Sequence, residues 1–224
     1  MAEFTIYIGN KNYSSWSLRG WLMLKQTGAA FDEEVIPLDR ETTRPEILRR
    51  SPSGKVPALR DGEVLVWESL AIGEYLAELF PAARLWPEAT AARAVARAVS
   101  AEMHAGFAAL RRELPMNLRA SFPGRPVSAE ARADIDRITA LWRDCRRRFG
   151  TDGPFLFGRF TIADAMFAPV VSRFRTYAVT VDAEAQAYCD AIWTFPTFAA
   201  WAEAAARETL VIARWEFGKT PTFP

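Results

Sequence analysis

The sequence predicts a two-part fold: an α/β domain in the order β-α-β-α-β-β-α, followed by an all-α helical bundle. Three observations carry the prediction. Short β-rich and helix-like segments alternate through the first 80 residues. Asp61-Gly62 stands between two β-type runs, a strong hairpin signal. Beyond a proline-marked stretch at 81–90, nothing reads as strand.

The elements follow in order. Residues 4–8 are β-rich, and residues 15–26 have helical spacing and end at Thr27-Gly28, a helix stop. Residues 31–38 read as a second strand, and 45–50 as a short helix with proline at its start. Residues 56–59 and 64–67 flank the Asp-Gly turn, and 69–80 form a helix. The crossover between the first two strands implies a parallel pair, and the hairpin an antiparallel one. The result is a mixed four-stranded sheet. Residues 1–82 are assigned to this domain, 83–90 to a linker with Pro87, and 91–224 to the helical domain.

In the second part, Val95, Val99, Met103, Phe107, Leu110 and Leu114 recur every three or four residues, which predicts one long amphipathic helix over 91–114. Pro123-Gly124-Arg125-Pro126 breaks the chain, and Ser128 caps a helix carrying Ile135, Ile138, Leu141, Trp142 and Cys145. Thr161 opens another helix, and 195–207 supplies a last one.

Half of the residues are hydrophobic and a quarter charged, the balance of a soluble globular chain. The net charge of +1 argues against a nucleic-acid partner. Arg146, Arg147 and Arg148 read as the cationic end of a helix. The first 82 residues carry nine basic and twelve acidic side chains, the remainder nineteen and fifteen, so the helical part is the mildly cationic one. The apolar run at the start is too short and too acidic for a signal peptide, and no apolar stretch nears the roughly 20 residues that span a bilayer. Cys145 and Cys189 form no Cys-x-x-Cys pair, which is consistent with a reducing, cytoplasmic setting and no membrane association.

Three segments of the first domain suit ligand chemistry. Asn12-Tyr13-Ser14-Ser15-Trp16-Ser17-Leu18-Arg19 joins the first strand to the first helix. Hydroxyls there meet free backbone N–H groups and the positive end of a helix dipole, a setting that stabilises a phosphate or a thiolate; no glycine-rich phosphate loop accompanies it. A capping serine is the structural alternative. In Lys55-Val56-Pro57, a cis proline would let Val56 offer its backbone to an extended peptide; the alternative is an ordinary edge-strand proline. Glu68-Ser69, at a helix start, suits a carboxylate with an ammonium beside it, or simply caps the helix.

Taken in this order, Ser14-Ser15-Trp16-Ser17-Leu18-Arg19, Ser51-Pro52-Ser53-Gly54-Lys55-Val56-Pro57-Ala58-Leu59 and Trp67-Glu68-Ser69-Leu70-Ala71-Ile72 resemble the glutathione transferase family across essentially the whole chain. Thr161 and Asp164 match that family's capping box in the helical domain, a structural pair. The resemblance implies a thioredoxin-like first domain and glutathione as co-substrate, with no resident cofactor and no metal. It implies an electrophilic small molecule as second substrate, and a homodimer. Within the family the loop looks closest to the serine-type, zeta-like bacterial members, with Trp16 where that subgroup carries a cysteine.

The implied chemistry is a serine hydroxyl holding glutathione as thiolate for attack on an electrophilic carbon. Counting back four from Arg19 selects Ser15, and the zeta-like pattern selects Ser14, kept second. Lys55, Val56, Pro57, Glu68 and Ser69 are implied to bind glutathione. Tyr13, Trp16, His104 and Arg111 are the candidates for the second-substrate pocket; Arg97, Ser100, His104 and Arg111 share a polar helical stripe, and His104 is the lone histidine. The alternatives are a glutathione-dependent isomerase of the maleylacetoacetate type and a non-catalytic glutathione-binding or regulatory protein. A thiol–disulfide oxidoreductase would need a cysteine at the first helix, where Trp16 and serines stand.

Overall fold

A computed structural model of the protein describes residues 4–217. The first domain comprises β1 (Phe4–Ile8), α1 (Ser15–Gln26), β2 (Phe31–Val35), α2 (Thr43–Leu48), β3 (Ala58–Asp61), β4 (Val64–Trp67) and α3 (Ser69–Leu79). The sheet order is β2-β1-β3-β4. β1 runs parallel to β2 and antiparallel to β3, and β3 antiparallel to β4, as the crossover and the Asp-Gly turn require. The second domain contains α4 (Thr90–Ala105), α5 (Ala108–Glu113), α6 (Ala129–Phe149), α7 (Ile162–Thr176), α8 (Ala183–Thr194) and α9 (Pro196–Arg207). This is the predicted thioredoxin-like α/β domain followed by an all-helical one.

Several elements differ from the sequence reading, each for a local reason. β2 stops at Val35, and Pro37, lacking an N–H, cannot extend it. α2 begins at Thr43, two residues before its proline, where the Thr43 hydroxyl donates to Pro37 O at 2.7 Å. β3 starts at Ala58, after a cis Val56–Pro57 peptide bond. The long helix expected over 91–114 is two helices. Gly106 ends α4, a Cβ there would lie 2.9 Å from Glu102 O, and Phe107 turns to φ 62° before α5 begins. The apolar spacing continues across the break, because both pieces bury the same side. α8 was not anticipated at all.

α7 organises the interior. Nearly every residue from Ile162 to Thr176 is buried, Asp164, Ser172 and Arg173 among them, so the helix is enclosed on all sides. It packs against α1, α4 and α8. The two domains meet closely where α3 crosses α1 and α7: a Cβ on Gly73 would stand 2.7 Å from Met23 Sδ and 3.2 Å from Ile162 Cδ1. A side chain at Gly73 would wedge the domains apart. Among the described residues no helix is long and apolar enough to cross a membrane.

A candidate active site between two helix starts

The N-termini of α1 and α3 open onto one cavity of about 410 Å³. Its lining includes Ser14, Trp16, Lys55, Val56, Pro57, Glu68, Ser69 and His104, so the three predicted segments converge on it. Leu38 and Ile47 complete the wall, two apolar residues that no motif singled out.

Ser14 is the N-cap of α1. Its Oγ accepts from Ser17 N–H at 3.3 Å and donates to Ser17 Oγ at 2.7 Å, while Gly9 N–H donates to the same Ser17 Oγ at 2.9 Å. Ser17 thereby fixes Ser14 to the end of β1. Ser15 is the first residue of α1; it is buried and does not line the cavity.

Val56 and Pro57 lie just before the β3 ladder, which begins in register at Ala58, so the peptide groups of Val56 lie ahead of the paired residues. At the third segment, Glu68 holds φ 69°, a region that costs a non-glycine residue about 1–3 kcal/mol. Strain of this size persists where the surroundings over-determine it, and sites are where it clusters. Ser69 follows, 1% exposed, and its hydroxyl meets no protein partner. A buried, unmatched hydroxyl at a helix start is suited to an incoming carboxylate.

His104, at the end of α4, faces Glu68 across the cavity with Nε2 3.5 Å from Oε2. Burial lowers its pKa, the Glu68 charge opposes this, and Arg19, Arg111 and Lys55 lower it further. The imidazole is therefore neutral at pH 7. Its ring meets the Trp16 indole edge-on at 5.1 Å.

Two predicted pocket residues lie elsewhere. Tyr13 is not part of the lining; its hydroxyl is hydrogen-bonded to Glu216 and receives Arg119 Nη2 at 3.1 Å. Burial and the Glu216 bond raise its pKa, against the pull of Arg119. Arg111 lies behind Trp16. It folds back onto the end of α4, donating to Gly106 O at 2.9 Å and to Met103 O, and stacks on Trp16 at 4.8 Å.

The serine loop is strapped from behind by the C-terminal segment. The Glu208 carboxylate accepts from Lys11 N–H at 2.8 Å and Asn12 N–H at 3.1 Å. Arg119 donates to the Glu208 and Leu210 carbonyls, and Asn117 donates to Trp215 O at 3.2 Å and Glu216 at 2.9 Å. No local sign of this stands in the sequence, since the partners are between 89 and 197 residues apart.

A second cavity of about 350 Å³, bordered by Val171, Phe174, Cys189 and Trp193 of α7 and α8, holds none of the motif residues. Cys189 and Cys145 are free and buried, and burial pushes both thiols up to about 12, which makes them inert. Among the described residues no His, Cys, Asp and Glu side chains gather as a metal site.

Known proteins match this architecture. Residues 13–79 match the model of the glutathione S-transferase N-terminal domain, and residues 88–204 that of the C-terminal domain. The chain is 27% identical over 161 residues to glutathione S-transferase L1 of Arabidopsis thaliana, spanning 71% of this chain and 62% of that protein. It is 34% identical over 111 residues to a probable maleylacetoacetate isomerase of Vibrio cholerae, spanning 46% of this chain and 51% of that one. The matched stretches thus cover between half and two thirds of these relatives. The theta class glutathione S-transferase of Xanthomonas axonopodis pv. citri, crystallised with glutathione bound, shares the fold at a TM-score of 0.67 and 23% identity, covering 94% of this chain and all of that one. With both domain models matched, one after the other along the two halves of the fold, the chain belongs to the glutathione S-transferase family.

Proposed function

We propose that the protein is a glutathione transferase whose Ser14 hydroxyl and α1 N-terminus hold glutathione as the thiolate. The observation that carries this reading is the single cavity lined by Ser14, Lys55, Val56, Pro57, Glu68 and Ser69, drawn from three separate segments. Two helix N-termini face it, and an anion is stabilised at each. The thiolate belongs at the first, beside Ser14. The glutamyl carboxylate belongs at the second, on the Ser69 hydroxyl and adjoining N–H groups, with its ammonium near Glu68. Val56 pairs through its backbone with the tripeptide between them, and Lys55 offers a cation on the same wall.

A free thiol has a pKa near 8.5. One charge-assisted hydrogen bond supplies roughly the 1.4 kcal/mol that lowers it by about one unit. The Ser14 hydrogen points at Ser17 Oγ in the resting geometry. A hydroxyl rotates freely about its C–O bond, so Ser14 turns this hydrogen to the sulfur while still accepting from Ser17 N–H. The thiolate attacks an electrophilic carbon, a carbon–sulfur bond forms, and the leaving group departs with the bonding pair. Ser14 stays uncharged throughout and is not the nucleophile. Ser15, one residue later and outside the lining, is the second choice.

The test is conjugation of glutathione to 1-chloro-2,4-dinitrobenzene, with thiolate absorbance followed against pH. Ser14→Ala is expected to raise the bound thiol's pKa by about one unit and slow conjugation about tenfold near pH 6.5; Ser15→Ala is expected to change neither appreciably. An unchanged titration in Ser14→Ala with a shift in Ser15→Ala would transfer the role. Retention on immobilised glutathione without any turnover would make the protein a binding module instead.

A second reading, a glutathione-dependent isomerase, is favoured by the partial match to the Vibrio cholerae protein. It keeps the same thiolate, which adds to a carbon of the substrate's double bond, leaves a single bond about which the substrate rotates, and is expelled again as the double bond re-forms. The homodimer belongs to the same proposal. Val64 and Trp67 on the edge strand β4, 47% and 43% exposed, offer apolar surface for such a contact.

A further inference from the structure

Arg19 is fully buried, and the acceptor its guanidinium reaches is Met166 O, 3.0 Å from Nε. Both terminal nitrogens, Nη1 and Nη2, are buried without a protein acceptor. Arg111 repeats the pattern: Nε and Nη2 are fastened to carbonyls at the end of α4, and Nη1 is buried and unmatched. Both guanidiniums stack on the same Trp16 indole, their carbons 4.5 and 4.8 Å from its centroid. Arg173, 3% exposed, approaches from α7, held by Leu114 O and Pro169 O at 2.9 Å each.

Three arginines thus share one interior region with little opposing charge. Among the described residues none of them makes an ion pair; Asp134 acts on Arg111 from a distance, and Glu68 faces His104. Burial, and then the charges of Arg111 and Arg173, push the Arg19 pKa well below its ordinary value. Buried charges in proteins are matched by a counter-charge or by a full set of hydrogen bonds, and Arg19 has neither from the protein. Trp16, on which both guanidiniums stack, lines the glutathione-type cavity together with His104, whose ring meets it edge-on.

We infer that the cluster is a recognition site for an acid group on the second substrate, a carboxylate that pairs with Arg19 and Arg111 when the Trp16 ring turns off them. The three unmatched nitrogens belong to planar forks, which match the two oxygens of a carboxylate. Stacking on two cations holds Trp16 as a cover, so the apolar wall is closed until a competing anion arrives. This deepens the transferase reading, on which only the word substrate depends.

Calorimetry on the glutathione-loaded protein tests it with two probes that lack a leaving group, 3,5-dinitrobenzoate and neutral 1,3-dinitrobenzene. The charged probe is expected to bind at least tenfold more tightly. Arg111→Gln should abolish that preference and leave the neutral probe within about twofold, while Arg111→Lys keeps part of it. Equal affinities in the unaltered protein, which needs no variant to fold, would overturn the inference. So would a preference that survives Arg111→Gln. If chloride displaces the benzoate at matched concentration, the cluster takes a simple inorganic anion and the acid-group assignment falls. Because neither probe reacts, a protein that recognises the benzoate but conjugates nothing would retain this site and lose the transferase reading.

Discussion

Two helix starts bury a charge completely, and they treat it in opposite ways. At the start of α7, Asp164 is 0% exposed and accepts four hydrogen bonds: Leu156 N–H at 3.0 Å, Thr161 N–H at 2.8 Å, the Thr161 hydroxyl at 2.9 Å and the Tyr188 hydroxyl at 3.1 Å. In the first turns of α1, Arg19 is equally buried and has one acceptor for a five-donor group. The first charge closes its own neighbourhood, tying the preceding loop to the helix. The second leaves donors without partners beside a cavity. A buried charge that the fold satisfies is part of the fold; the one that it leaves short is the ground of the acid-group site proposed above.

The contrast predicts unequal costs. The largest belongs to Asp164→Ala, which strands two buried backbone N–H groups and two hydroxyls. Each buried donor left without an acceptor costs about 1–3 kcal/mol, and urea denaturation should record a loss of several such increments. A loss below 1 kcal/mol would remove the distinction drawn between the two sites.

Next comes the pH dependence of the same carboxyl. Burial pushes it up from 3.8 to about 6, with its four hydrogen bonds pulling the other way. A carboxyl whose folded pKa is raised contributes most below its unfolded pKa and loses that contribution as pH rises through the folded one. The stability of the unaltered protein relative to Asp164→Asn should therefore shrink by about 2–3 kcal/mol between pH 4 and pH 7. A difference that stays flat or grows over this window would show that the hydrogen bonds outweigh burial.

The smallest effect is expected at Arg19. Arg19→Met replaces a poorly matched cation by an apolar chain of similar length, a change that is commonly neutral or stabilising. Its unfolding free energy should stay within about 1 kcal/mol of the parent or rise, although the residue is as buried as Asp164. A loss comparable to Asp164→Ala would mean that Arg19 is structural, and the contrast between the two helix starts would vanish.

Much of this was legible in the sequence, wherever the signal is local. β1, α1, the Asp-Gly hairpin and the Thr161/Asp164 pair rest on neighbours within four residues, and all appear as read. The three ligand segments were legible for the same reason, since each is a helix start or a strand opening with its polar residues in sequence. What escaped depends on distance or on weak contrast. α8 is an alanine-rich twelve-residue helix whose apolar face is poorly separated from its polar one. The break at Gly106 is hidden under an apolar period that continues past it. Arg19 served only as a landmark for counting, because arginines are seldom fully buried and nothing nearby in the sequence distinguishes this one. Tyr13 was expected at the pocket because it adjoins Ser14. It turns instead to Glu216, some 200 residues on, which no window along the chain could find.

The strap of residues 208–216 has a consequence in time. The loop that carries Ser14 leaves the ribosome before the carboxylate that holds its Lys11 and Asn12 N–H groups, which lies nearly 200 residues further along the chain. A nascent chain shorter than Glu208 has the strand, the helix, the serines and the bonds from Asn117 and Arg119 to Asn12, but not the carboxylate that takes up the Lys11 and Asn12 N–H groups. This hold on the loop is therefore gained only after the helices between them have been made.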